Sequence, residues 1–113
     1  MGRADKHVET RGAADLLDSG ALREAADCFR TMAHPLRLRM LELLMRGRYN
    51  VGQLAERCGL PSHMASEHLR LMQHCGLLRN QREGRCTYYE IARPRLVDMI
   101  VCIENGYRAA ADE

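Results

Sequence analysis

The stretch Asn50-Val51-Gly52-Gln53-Leu54-Ala55-Glu56-Arg57-Cys58-Gly59-Leu60-Pro61-Ser62-His63-Met64-Ala65-Ser66-Glu67-His68-Leu69-Arg70-Leu71-Met72-Gln73-His74-Cys75-Gly76-Leu77-Leu78 decides the fold. Asn50 with Gln53 three residues on has the form of a capping box, in which two side chains satisfy backbone N–H groups reciprocally and start a helix. That helix carries Val51, Leu54, Ala55 and Cys58, and Gly59 stops it. Only Gly59, Leu60 and Pro61 separate it from the next, which opens near Ser62 and ends at Gly76. Its spacing predicts Met64, Ala65, Leu69, Met72 and Cys75 inward, leaving Ser62, His63, Ser66, Glu67 and Arg70 outward. Two helices joined by so short a Gly-containing turn make a helix-turn-helix.

Upstream, Leu22, Ala25, Ala26, Phe29, Met32 and Ala33 follow helical spacing from about Ser19. His34-Pro35 ends that helix, because a residue before proline is pushed out of the helical region. Pro35 suits the first position of a second helix, which carries Leu36, Met40, Leu41, Leu43 and Leu44 and stops at Gly47.

Downstream of Leu78 the pattern alternates. Arg82-Glu83-Gly84-Arg85 reads as a hairpin turn, with Gly84 free to take positive φ. The returning strand, Cys86 to Ile91, is rich in β-formers. A last helix opens at Pro94 with Leu96, Val97, Met99, Ile100, Val101 and Ile103, an apolar face too wide for one small core and suited to a subunit interface. The expected fold is mainly helical with one small β-hairpin, a winged helix-turn-helix of order α-α-α-α-β-β-α, dimeric. It should span residues 19–108, between a flexible segment over 1–18 and a tail over 109–113.

A chain of 113 residues has room for one such domain. No apolar run approaches the roughly 20 residues that span a bilayer, and the polar N-terminus leads into no apolar segment, so a cytoplasmic protein is expected. The net charge of +2 hides a pattern. Residues 28–95 carry twelve basic side chains, all arginine, against five acidic ones, while both flanks are net acidic. Arginine's planar fork suits phosphate and guanine edges, so the middle segment points to nucleic acid; a merely solvated Arg-rich surface would read the same way. No Gly-rich phosphate loop, H-E-x-x-H or nucleophile elbow is present, so an enzyme is not expected.

The sequence resembles the arsenic-repressor (ArsR/SmtB) family of winged-helix regulators. Phe29 to Leu38, with Ala33-His34-Pro35-Leu36-Arg37-Leu38, is similar to that family's opening stretch. Gln53-Leu54-Ala55 with Gly59-Leu60 matches its first motif helix. Ser66-Glu67-His68-Leu69 and Leu71, then Cys75-Gly76-Leu77-Leu78, match its recognition helix and exit. Arg82-Glu83-Gly84-Arg85 with Tyr88-Tyr89-Glu90-Ile91 matches its wing. The resemblance covers about residues 25–105. It implies a homodimeric repressor of double-stranded DNA, reading an inverted-repeat operator and released by an unidentified signal. Ser62, His63, Ser66, Glu67, Arg70, Arg82 and Arg85 would contact DNA, and His68 would be structural. First and last helices would build the dimer interface through Leu22, Phe29, Leu96, Ile100 and Ile103. A winged-helix module for protein association, without specific DNA binding, is the alternative.

The family's sensing patterns are absent. Asn50-Val51-Gly52 stands where a thiolate pair would be, and Ile100 replaces a zinc-binding histidine beside Asp98 and Glu104. Leu71 stands where a cysteine would accompany Cys75; Glu42 and Arg108 occupy the redox pair's places. Two combinations of the five cysteines remain as expectations for thiol oxidation or a soft metal ion: Cys28 with Cys102 across the dimer interface, and Cys75 with Cys86. Small half-buried thiols without a role are the competing reading.

Overall fold

Side-chain caps open three of the helices. The computed structural model describes the backbone of residues 13–112 and the side chains of residues 14–108. Of the flexible segment expected over 1–18, residues 1–12 fall outside the described residues; of the tail expected over 109–113, the backbone of 109–112 is described and residue 113 is not. What is described of the first is a 3-10 turn, Ala13–Asp15, followed by Asp18, whose carboxylate accepts from Ala21 N at 2.7 Å and opens α1, Ser19–Met32. α2, Pro35–Arg46, is capped by the His34 ring, whose Nδ1 accepts from Leu36 N. α3, Val51–Cys58, has the expected capping box: Gln53 N donates to Asn50 Oδ1 and Asn50 N to Gln53 Oε1, both at 2.9 Å. Gly59 then takes φ 68°, a left-handed stop open to glycine at little strain. α4 is Ser62–His74.

The hairpin pairs β2, Leu78–Glu83, with β3, Cys86–Ile91, from Leu78 opposite Ile91 to Glu83 opposite Cys86. Gly84 turns it at φ 63°. A third strand, β1, Tyr49–Asn50, was not expected; it pairs antiparallel with β3 at Tyr89 and Tyr88, giving the order β1-β3-β2. Two residues are too few to show an alternation. α5, Pro94–Asp112, continues past 108, where a tail was expected.

Met40, Leu41, Leu54, Leu69 and Met72 are wholly buried and fix α2, α3 and α4 around one core. Tyr89 closes it from the sheet, and Leu96 and Ile100 close it from α5. These last two correct the expected interface. At 4% and 2% exposure they are spent on the chain's own core and have no surface to offer a partner. The apolar face of α5 is wide because it serves two purposes, with Val101 and Ile103 left outside. Met64 also departs from expectation: it is exposed, because the buried stripe of α4 is Ala65, Leu69 and Met72, and Met64 lies to one side of it.

Candidate nucleic-acid interface

α4 buries one stripe and presents the rest. Ser62, His63, Glu67 and Arg70 are exposed and Ser66 is half-buried, so all five expected residues border the outer face. Pro61 supplies no side-chain cap, and its carbonyl takes the N–H groups of Met64 and Ala65. The N–H groups of Ser62 and His63 therefore point out of the first turn without a helical acceptor. Amides at a helix N-terminus suit a phosphate oxygen.

Side-chain bonds tie this helix to α2 and to the hairpin. Arg37 Nε on α2 donates to His68 Nδ1 at 3.0 Å, while Arg37 Nη1 donates to Thr31 O at 2.9 Å. His68 also packs on the His34 ring, with centroids 4.7 Å apart. Burial lowers the His68 pKa, and the neighbouring charges of Arg37 and His34 lower it further. The imidazole is thus a neutral acceptor inside the domain, as expected of a structural histidine. At the far end, Asn80 Nδ2 on β2 donates to Gln73 Oε1 on α4 at 2.8 Å. An open groove lined by Glu67, Arg70, Gln73 and Asn80 runs between helix and hairpin.

The arginines on and beside the hairpin are of two kinds. Arg79 pairs with Glu90, and Arg48 pairs with Glu83 while lying over the Tyr88 ring at 3.7 Å. Arg82 and Arg85, flanking the Gly84 turn, have no carboxylate partner among the described residues; Arg82 Nε reaches only Gly84 O. Arg70 on α4 has none there either. Free guanidinium groups are the ones able to take a phosphate or a base edge without first giving up an ion pair. Sequence alone does not separate Arg82 from Arg79, since only the register across the sheet shows which arginine faces a glutamate.

Within the single chain, Cys28 has a partner that the sequence did not suggest. Cys28 Sγ donates to the backbone carbonyl of Cys75 at 3.2 Å, while Cys102 is exposed on α5. Cys86 lies on the sheet and receives Asn50 Nδ2. Burial, reinforced by the Cys75 thiol, pushes Cys28 up to about 11. Burial also raises Cys58.

A helix-turn-helix with unpaired guanidinium groups on its second helix and on an adjoining β-hairpin defines a winged-helix nucleic-acid reader. The family profile "Bacterial regulatory protein, arsR family" matches residues 34–80. A probable mercury resistance operon repressor from Streptomyces lividans is 30% identical over 87 residues, covering 74% of this chain and 70% of that one. The transcriptional repressor PagR of Bacillus anthracis is 37% identical over 81 residues, covering 71% and 81%. Among solved structures, the AntR antimony-specific transcriptional repressor superposes with a TM-score of 0.76 at 28% identity, covering 88% and 90%. A homodimeric winged helix-turn-helix DNA-binding domain from Mycobacterium bovis gives 0.72 at 28%, covering 88% and 91%. The chain belongs to the arsR family of bacterial regulatory proteins and is a DNA-binding transcriptional regulator.

Proposed function

We propose that the chain is a homodimeric repressor in the cytoplasm that reads an inverted-repeat operator and is released by a chemical signal. The observation that carries this reading is the placement of Arg70, Arg82 and Arg85, uncommitted to carboxylates, on the two elements a winged helix lays on DNA. Two copies of α4 would enter successive major grooves about 34 Å apart, one helical turn. Ser62, His63 and the amides of the first turn would hold phosphates; Ser66, Glu67 and Arg70 would face base edges; Arg82 and Arg85 would follow the backbone beside the wing.

Dimerisation is supported by apolar surface that the single chain leaves uncovered. Leu22 and Phe29 on α1 are each 55% exposed, and Val101, Ile103 and Tyr107 on α5 are exposed too. Leu16 and Leu17, just before α1, extend the same kind of surface. A partner covering them would bring its own α4 into register with the first. The names of the relatives, repressors in both cases, support the direction of control.

Nuclease footprinting on DNA upstream of the chain's own gene tests this. Two protected half-sites related by a dyad, about 10 base pairs between centres, are expected. Uniform cleavage at all protein concentrations that saturate other family members' operators would contradict the reading.

A further inference from the structure

We propose that the cavity between α1 and the start of α5 binds a small organic monoanion, a carboxylate carried on an apolar body. The cavity holds about 290 Å³. At roughly 30 Å³ per water-sized unit, that is room for about ten non-hydrogen atoms. Its lining includes Met32, Leu77 and Leu96, all buried, and the half-buried Met99. Such a lining gains by covering apolar surface and leaves a charged group without a partner. The polar contribution comes instead from Arg93 and Arg95, which line the same cavity and are exposed.

The two arginines decide the sign and number of charges. They flank Pro94 at the N-terminal end of α5, where no acidic side chain stands in the first turn. Positive charge is unfavourable at that end of a helix, and a bound anion relieves it. Among the described residues neither arginine has a carboxylate partner. Arg93 is also seated: a Cβ on Gly76 would stand 3.3 Å from Arg93 Nη2, so the guanidinium lies against bare backbone just past α4. Its charge reaches Cys28, another residue of the lining. Glu24 lines the cavity too. Two guanidinium groups against one carboxylate leave a single positive charge, which suits a monoanion and disfavours a phosphate dianion. A carboxylate accepts two parallel N–H bonds from a guanidinium, and its apolar body would lie on the methionine and leucine side chains. The site is built by one chain and does not rest on the reading of α4 as a DNA-binding helix.

Octanoate, whose size fits this volume, is the probe. Isothermal titration calorimetry on the full reduced chain, in the assembly that sedimentation shows, should give one octanoate per chain. Acetate has the charge without the body, and octanol has the body without the charge. Each should bind at least tenfold more weakly than octanoate. Arg93→Gln should weaken octanoate at least tenfold while leaving octanol unchanged, a split that loss of the fold does not produce. Arg95→Gln, at an exposed position, is the second charge variant. Ala25→Phe, which fills the cavity from α1, should abolish binding of octanoate and octanol alike. Arg57→Gln, on α3, should bind octanoate like the wild type. Circular dichroism on every variant separates loss of the site from loss of the fold. The site is overturned by an absence of saturable binding at millimolar octanoate, or by octanol binding as tightly as octanoate. Full affinity in folded Arg93→Gln and Arg95→Gln, or in folded Ala25→Phe, overturns it as well. An equal loss in Arg57→Gln would reduce the effect to overall charge and discard the site. Binding by Ile103→Glu but not by the native assembly would show that a second copy fills the cavity, which also overturns the proposal.

Discussion

Arg37 Nε donates to His68 Nδ1 at 3.0 Å, and through that bond the first turn of α2 positions the middle of α4. An acceptor at Nδ1 requires the neutral ring, and burial with two nearby cationic or titratable groups keeps the His68 pKa below its ordinary value. A histidine depressed in the folded state contributes stability that is present above the unfolded pKa, near 6.5, and lost as pH falls. His68→Ala should cost about 1–2 kcal/mol near pH 8 by leaving the Arg37 fork one acceptor short. The wild-type advantage in urea midpoint should shrink between about pH 7 and pH 5. An advantage independent of pH would show that the ring serves by packing alone.

Arg46 grips Glu104 with two parallel bonds, 2.7 and 2.8 Å, across α2 and α5. The Arg46 guanidinium, with help from a Glu42 hydrogen bond, holds the buried Glu104 carboxyl down to about 2. Glu42 moves the other way, raised first by its hydrogen bond to Glu104. A depressed carboxylate contributes stability above its unfolded pKa, about 4.3, that disappears as pH falls through the folded value. Thermal melts of wild type and Glu104→Gln should therefore differ most near pH 7 and converge between pH 4 and pH 2.

Gly59 stands at φ 68° with nothing within 4 Å of where a Cβ would sit. The cost of a side chain there is backbone strain alone. Gly59→Ala should destabilise by about 1–2 kcal/mol, lowering the melting temperature by several degrees. Gly59→Asn, whose side chain tolerates this region, should lose less. Calorimetry on the three proteins checks the order.

Phe29 and Ile103 remain exposed in the single chain, and their burial by a second copy follows from the proposed dimer. Phe29→Glu or Ile103→Glu should raise the dimer dissociation constant at least tenfold in sedimentation equilibrium, since each places a charge in an apolar contact. Leu96→Ala should act differently, by opening a cavity in the core at a cost of about 2–5 kcal/mol.

The helices were legible in the sequence because their ends are marked locally. Asn50 with Gln53, His34-Pro35 and Gly59 act through their own backbone neighbourhood, which a linear reading contains. β1 was not legible, because Tyr49 and Asn50 pair with residues some forty positions away. The split of the α5 face, Leu96 and Ile100 inward and Ile103 outward, depends on which helices lie against it. The outward residues of α4 follow from its period, but the distinction between Arg82 and the paired Arg79 requires the sheet register. The meeting of Cys28 with Cys75 joins residues 47 apart, with no spacing rule to announce it.

The most direct test of the central claim is fluorescence anisotropy of the reduced protein on a duplex from its own upstream region and on a scrambled duplex, at two salt concentrations. The native duplex should bind at least about a thousandfold more tightly, with a steep salt dependence. Arg70→Ala and Arg82→Ala should each weaken binding by about 1–3 kcal/mol and flatten that dependence. Equal, weak binding to both duplexes, unaltered by either substitution, would contradict the assignment of α4 and the hairpin to DNA.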